Sequence, residues 1–188
     1  MSNEEHDEVR ASLEDTIGKP LGPSGPALAP DDVNVPMIRH WVDALDDRNP
    51  VYLDEDRASE SRFGGIVAPP AMLQTWTMPS PVIEGIAERG GAPTEMRSEN
   101  VVTALDKAGY VGTLATNSEL EFHRYLRPGD RLRTRNALES ISERKRTSLG
   151  LGYFVTWITT YTDHDDEVVG EQLFRIFKFD PSTIGGES

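Results

Sequence analysis

Asp47 and Tyr52 stand five residues apart in the segment DDRNPVYLDEDRA, residues 46–58. An acid beside a second proton-carrying side chain is the minimal equipment for holding and deprotonating a water. Tyr52 suits the second role poorly. A phenol ionises near ~10, against ~6.5 for an imidazole, so Tyr52 is expected to stay protonated at neutral pH. Lowering that value by roughly three units takes about 4 kcal/mol of preferential phenolate stabilisation. Asp47, Asp54, Glu55 and Asp56, all close by in sequence, push it the other way. The segment keeps an acid and lacks a base that works at neutral pH.

No other constellation competes with it. His6, His40, His123 and His164 are scattered without metal-ligand spacing, and there is no cysteine to act as nucleophile, metal ligand or disulfide. Gly64-Gly65 and Gly150-Leu151-Gly152 have neither the lysine nor the spacing of a phosphate-binding loop or a dinucleotide fingerprint. A Gly-x-Ser-x-Gly elbow is missing. The reading is therefore no metal and no nucleotide cofactor. A formal charge of −13 repels phosphate backbones and argues against nucleic acid as a partner. Positive charge is concentrated in two places, Arg144-Lys145-Arg146 and the stretch from Arg124 to Arg135, and either would suit a small anion. The acidic, polar first ten residues are no export signal, and no run of about 18 apolar residues occurs. The expected location is the cytoplasm, with no membrane span.

The elements that would position the segment follow from periodicity. Residues 1–33 hold Pro20, Gly22, Pro23, Gly25, Pro26 and Pro30, so an arm or linker is expected after any brief first helix. Pro36, Ile38, Trp41, Val42 and Leu45 give the apolar stripe of an amphipathic helix that ends just before Asp47. Asn49 precedes Pro50 and is biased away from helix, which forces a turn. FGGIVAPPAMLQTWTMP, residues 63–79, predicts a short buried helix over Ala71 to Met78. Val82, Ile83 and Ile86 suggest a further helix ending at Gly90-Gly91, and another is expected from a Ser98 cap to Gly109.

From Gly112 the period becomes two. Leu114, Leu120 and Phe122 are expected on one face, with Glu119, Glu121 and His123 on the other. Strands should follow at about residues 131–145, 149–162 and 167–179, the middle one apolar on both faces and hence central. Helices first and antiparallel strands after them give an α+β class. The expected division is an arm at 1–33, one domain at 34–181, and a tail or linker at 182–188.

The segments MIRHWVDALDDRNPVY, FGGIVAPPAMLQTWTMP, ELEFHRYLRPGDRL, ERKRTSLGLGYFVTW and EQLFRIFKF together resemble a MaoC-like dehydratase domain over about residues 35–181. The family motif is Gly-Asp-x-Asn-Pro-x-His-x5-Ala. Asp47, Asn49, Pro50 and Ala58 match it, Asp46 stands for the glycine and Tyr52 for the histidine. The resemblance implies a hot-dog fold, an antiparallel sheet wrapped around a central helix, and hydration of an enoyl-coenzyme A. In that reaction backbone N–H groups beside Ala68 would hold the thioester oxygen, although Pro69 and Pro70 bring none.

More narrowly, IVAPPAMLQTWTMP resembles the larger subunit of heteromeric hydratases that act on the steroid side chain in cholesterol-degrading bacteria. There a small partner subunit carries the Asp and His. This implies a degenerate motif (Asp47, Asn49, Tyr52), a pocket wall from Ala68, Met72, Trp76 and Met78, and coenzyme A phosphates near Arg144, Lys145 and Arg146. It also implies an α2β2 assembly with the small subunit and, through a further C-terminal domain, contact with an aldolase. No cofactor is expected beyond the coenzyme A thioester as substrate. Two alternatives stay open: a self-sufficient homodimeric (R)-specific hydratase, and a scaffold or acyl-CoA-binding module without turnover. Thioesterase chemistry would rest on fold analogy alone.

Overall fold

The protein, seen as a computed structural model, is described for residues 3–21, 25–78, 83–85 and 100–185. In chain order its elements are α1 (Asn3–Glu14), β1 (Ala27–Leu28), α2 (Val35–Ala44), α3 (Pro50–Leu53), α4 (Glu55–Glu60), two 3-10 turns (Pro70–Met72 and Thr75–Thr77), α5 (Val101–Lys107), and strands β2 (Gly112–Phe122), β3 (Arg133–Ile141), β4 (Lys145–Thr147), β5 (Gly150–Thr162) and β6 (Val168–Asp180). A last 3-10 turn, Pro181–Thr183, follows.

The strands form one antiparallel sheet in the order β1-β3-β5-β6-β2, with β4 folded back on β5. As expected, β5 is central. Directly opposed residues share a face, so Tyr153, Val155, Trp157, Thr159 and Tyr161 stand beside Lys178, Ile176, Phe174, Gln172 and Gly170. This is the face that carries the helical segments: Leu105 and Val101 of α5 cluster with Leu138, Tyr153, Val155 and Ile176. At the other end Met72, Leu73 and Trp76 of the 3-10 turns cluster with Tyr161, Val169, Leu126 and Leu132. At Gly170 a Cβ would come within 2.7 Å of the Glu121 carbonyl oxygen and of the Leu73 side chain, so glycine lets β2 and the turns lie this close to β6.

Three expectations are corrected. The helix over Ala71 to Met78 is a pair of 3-10 turns. Pro69 and Pro70 limit its start, and Thr75, Trp76 and Thr77 are β-branched or aromatic, types that lose rotamer freedom in an α-helix. Leu114 does not share a face with Leu120. Leu114 opposes Phe177, Leu120 opposes Gln172, and the register shifts between Ala115 and Asn117. One extra residue there reverses the alternation, and Thr116 at the bulge donates its hydroxyl to the Arg175 carbonyl at 3.1 Å. Finally, α5 starts at Val101 under an Asn100 cap that accepts from the Val102 and Thr103 N–H groups; Ser98 lies outside the described residues. The helix expected up to Gly90-Gly91 also lies largely outside them, apart from a turn at Glu84–Gly85.

The proline-rich arm lies along the sheet. Ala27 and Leu28 pair with Thr134 and Arg133, Pro20 bridges Ala137, and Leu13, Ala29 and Val33 are buried. In α2, Asn34 caps the start by accepting from the Met37 N–H at 2.9 Å. Ile38 and Val42 are fully buried, each contributing about 2 kcal/mol by burial. Leu45, at the end of the expected stripe, is 61% exposed, because the helix has stopped at Ala44.

Candidate functional site

The motif turn is held by its own polar groups. Asp47 accepts the Asn49 N–H at 3.0 Å. Asn49 in turn accepts the Val51 N–H at 3.3 Å and caps α3, with Pro50 at its first position. Asp54 caps α4 through the Arg57 N–H at 3.0 Å. Asp46 sits at φ 53°, in the left-handed region that explains the glycine of the family motif. Arg48 pairs with Asp46 at 2.7 Å across this turn.

Tyr52 points into the core, 8% exposed, among residues that include Val67, Ala68, Met72 and Trp76. Burial first, then Tyr125 and the Asp47 carboxylate, raise its pKa above the ordinary tyrosine value, while the Asn49 side chain pulls the other way. Its hydroxyl stays protonated at neutral pH, which rules it out as a base there.

The other expected site residues separate into groups. Ala68, Met72 and Trp76 are buried beside Tyr52, whereas Met78 is 57% exposed, beyond the last 3-10 turn. The Ala68 N–H donates to the Leu126 carbonyl at 2.8 Å, and Met72 and Leu73 bond Pro69 and Pro70 within the turn. The donors that such a turn leaves outside its own ladder are its first ones, and two of these positions are prolines, so Ala71 alone supplies an N–H. The expected oxyanion donor at Ala68 is thus already engaged. The Trp76 indole N–H is buried and has no hydrogen-bond partner among the described residues.

Arg144, Lys145 and Arg146 lie far from this cluster. Arg146 opposes Leu151 at the start of β5, whereas Tyr161, which packs in the cluster with Tyr52, lies ten residues along the same strand, about 33 Å at strand rise. Lys145 and Arg146 alternate across β4, and Lys145 pairs with Glu143 at 3.8 Å. The structure does not bring these three side chains to the motif turn.

The second basic stretch does lie at that end. Arg124 bridges Asp130 at 2.7 Å and Asp163 at 2.8 Å. Burial opposes ionisation of Asp163, but Arg124 and the Glu167 and Asp165 N–H groups outweigh it and hold the carboxyl below its usual range. Asp163, His164 and Asp165 place three ligand atoms near one another, yet Asp163 is already committed to Arg124, and His164 and Asp165 are solvent-exposed. Arg127 donates to the Phe63 carbonyl and so ties the turn after α4 to the loop before β3.

Sequence reading missed one feature. Tyr161 donates its hydroxyl to Gln172 Oε1 at 2.9 Å, and Gln172 Nε2 donates to Ser118 Oγ at 2.9 Å and to Gln74 Oε1 at 3.4 Å. Tyr161 and Gln172 are 1% and 3% exposed. Burial pushes the Tyr161 hydroxyl up to about 12, against the pull of a hydrogen bond with the Thr77 side chain. The available signal was a glutamine at a helix-facing position between the apolar residues Val169 and Phe174 of β6.

Residues 27–172 match the family model described as FAS1-like, dehydratase domain region. The chain belongs to this family. Among curated relatives of this dehydratase-region chain is the probable enoyl-CoA hydratase alpha subunit of Thermomonospora curvata, 42% identical over 183 residues, 96% of the chain and 54% of the relative. Another is the 3-oxo-4,17-pregnadiene-20-carboxyl-CoA hydratase alpha subunit of Mycobacterium tuberculosis, 41% identical over 87% of the chain and 50% of the relative. The chain thus spans about half the length of the curated relatives it matches.

Among solved structures, it is similar to the ChsH1-ChsH2 complex of Mycobacterium tuberculosis, with a TM-score of 0.75, 37% identity, and coverage of 95% of this chain and 98% of that one. The MaoC-like dehydratase of Rhodospirillum rubrum, at 19% identity, a TM-score of 0.56, and coverage of 89% and 96%, shares the fold. The fold of this dehydratase-region chain is therefore the α+β hot-dog.

Proposed function

We propose that this chain is a catalytically degenerate subunit of a heteromeric enoyl-CoA hydratase, contributing an interface and part of the acyl-pocket wall while a smaller MaoC-like partner contributes the Asp and His that activate water. The observation that carries this reading is Tyr52, buried and protonated where the family has its base. Asp47 and Asn49 are bonded to local backbone instead.

A partner has an obvious place to bind. β2 ends the sheet, is exposed along nearly all of its eleven residues, and presents a row of backbone groups that no strand among the described residues pairs. The relatives, named as alpha subunits of hydratases, favour the same division of labour. The substrate class is a 2-enoyl-CoA with a bulky apolar acyl group, in keeping with a relative named for a pregnadiene carboxyl thioester. On this reading the assembly is α2β2 and acts in steroid side-chain degradation in the cytoplasm. Any contact with an aldolase would lie in a further domain, and coenzyme A serves as part of the substrate rather than as a cofactor.

The test is reconstitution. This chain, the small subunit and their mixture are assayed for hydration of a steroidal and a short linear enoyl-CoA, with the native mass of the mixture measured alongside. The expected result is a heteromer that hydrates the steroidal thioester and a chain that is inert alone. Hydration by this chain by itself, abolished by Asp47→Ala, would favour the self-sufficient homodimer. Equal partner activity with and without this chain would favour a scaffold.

A further inference from the structure

Ser118 is exposed on β2, yet it ends a buried chain of hydrogen bonds. Tyr161 donates to the Oε1 of the Gln172 amide, whose Nε2 faces Ser118 and Gln74 and donates to both. A serine hydroxyl has one hydrogen and two lone pairs. Since Ser118 Oγ accepts from Gln172, its hydrogen is directed away from Gln172, and no acceptor for it occurs among the described residues. The neighbours on the same face are apolar: Leu120 and Phe122 oppose Gln172 and Gly170 and are 37% and 42% exposed. A hydroxyl donor on an apolar shelf, held from behind by the buried Gln172 and Tyr161 with the exposed Gln74 amide beside it, suits an apolar ligand carrying an accepting oxygen.

We propose that Ser118 donates a hydrogen bond to an oxygen on the acyl group itself, distinct from the thioester oxygen, so that the assembly prefers apolar acyl chains bearing one such oxygen. This rests on the hydratase reading above. Ser118 is a specificity residue in this scheme and takes no part in moving protons.

The test uses the complex of this chain with its small subunit and a matched pair of coenzyme A thioesters, 3-(4-oxocyclohexyl)propenoyl and 3-cyclohexylpropenoyl. The wild-type complex should prefer the oxo compound by about fivefold to tenfold in kcat/KM, the effect of one neutral hydrogen bond, mostly through KM. Ser118→Ala should bring the ratio to about one, and Ser118→Thr, which keeps the hydroxyl, should retain most of it. Equal use of the two thioesters by the wild type overturns the proposal. So does an equal loss on both in Ser118→Ala, which would assign the hydroxyl to the shared thioester. Loss of co-elution with the small subunit in Ser118→Ala would assign it to assembly and overturn the proposal as well. A wild-type complex inactive on both thioesters and on the steroidal substrate overturns the hydratase reading, and this proposal with it.

Discussion

The turn from Asp46 to Tyr52 and the chain from Ser118 to Tyr161 are both polar regions at the edge of the core, and they use their polar groups in opposite ways. In the turn, Asp47 and Asn49 each accept one neighbouring N–H group, while Tyr52, which reaches the interior, is a phenol that stays neutral. In the chain, buried Gln172 and Tyr161 satisfy each other and leave a donor at the surface. The difference teaches that motif residues which also close a turn have a structural use apart from any chemistry. A polar group set into a buried strand position needs partners on every side, because an unpaired one costs ~1–3 kcal/mol.

The largest effect should come from trying to reverse the first region. Tyr52→His in the isolated chain should give below about 1% of the hydration rate of the heteromer, a positioned base being worth ~10²–10⁴ only when its partner groups are free. A coupled assay of the purified variant checks this, and restoration to the heteromer's rate would erase the contrast.

Next, Gln172→Leu should cost roughly 2 kcal/mol in denaturant unfolding, since it removes the Gln172 acceptor of the buried Tyr161 hydroxyl and leaves it Thr77 alone. A loss below about 0.5 kcal/mol would mean that the network is not the buried unit described.

The third concerns alkaline pH. Tyr161 titrates at about 12 in the fold against 10.0 ordinarily, so the folded state prefers the neutral phenol. The associated stability is fully present below about pH 10 and falls as pH rises toward 12, by up to ~2.7 kcal/mol. Tyr161→Phe should flatten that part of the stability profile.

The smallest effect should be Asp46→Gly, which relieves the left-handed backbone at φ 53° and should stabilise the chain by about 0.5 kcal/mol, less than the ~1–2 kcal/mol for an ordinary side chain because aspartate tolerates this region. Urea unfolding reads it directly, and a destabilisation would show that the Arg48 pair outweighs the strain.

Periodicity carried the strands well, because side chains alternate strictly and the apolar runs of β5 and β6 leave little ambiguity. It failed at Thr116, where a bulge inserts one residue without any glycine or proline to mark it. The segment Ala71 to Met78 was apolar on nearly all sides, which identifies burial but cannot distinguish an α-helix from 3-10 turns. The candidate site divides in the same way. Asp47, Asn49 and Tyr52 were legible because they are adjacent in sequence. The separation of Arg144, Lys145 and Arg146 from them was not, since it depends on which end of a thirteen-residue strand each group meets.

By itself the sequence determined that a tyrosine stands at position 52 where the family motif has its histidine, that there is no cysteine, and that helices precede an antiparallel sheet. These are properties of residue type and local spacing, and they need no partner to be read. Only the tertiary structure decided that Tyr52 is buried, that the Ala68 N–H is already bonded to Leu126, and that Ser118 stands on Gln172 and Tyr161 across 54 and then 11 residues of chain. Hydrogen bonds of that kind depend on strand register and on side-chain direction across the sheet, and neither is encoded in the spacing of any one segment.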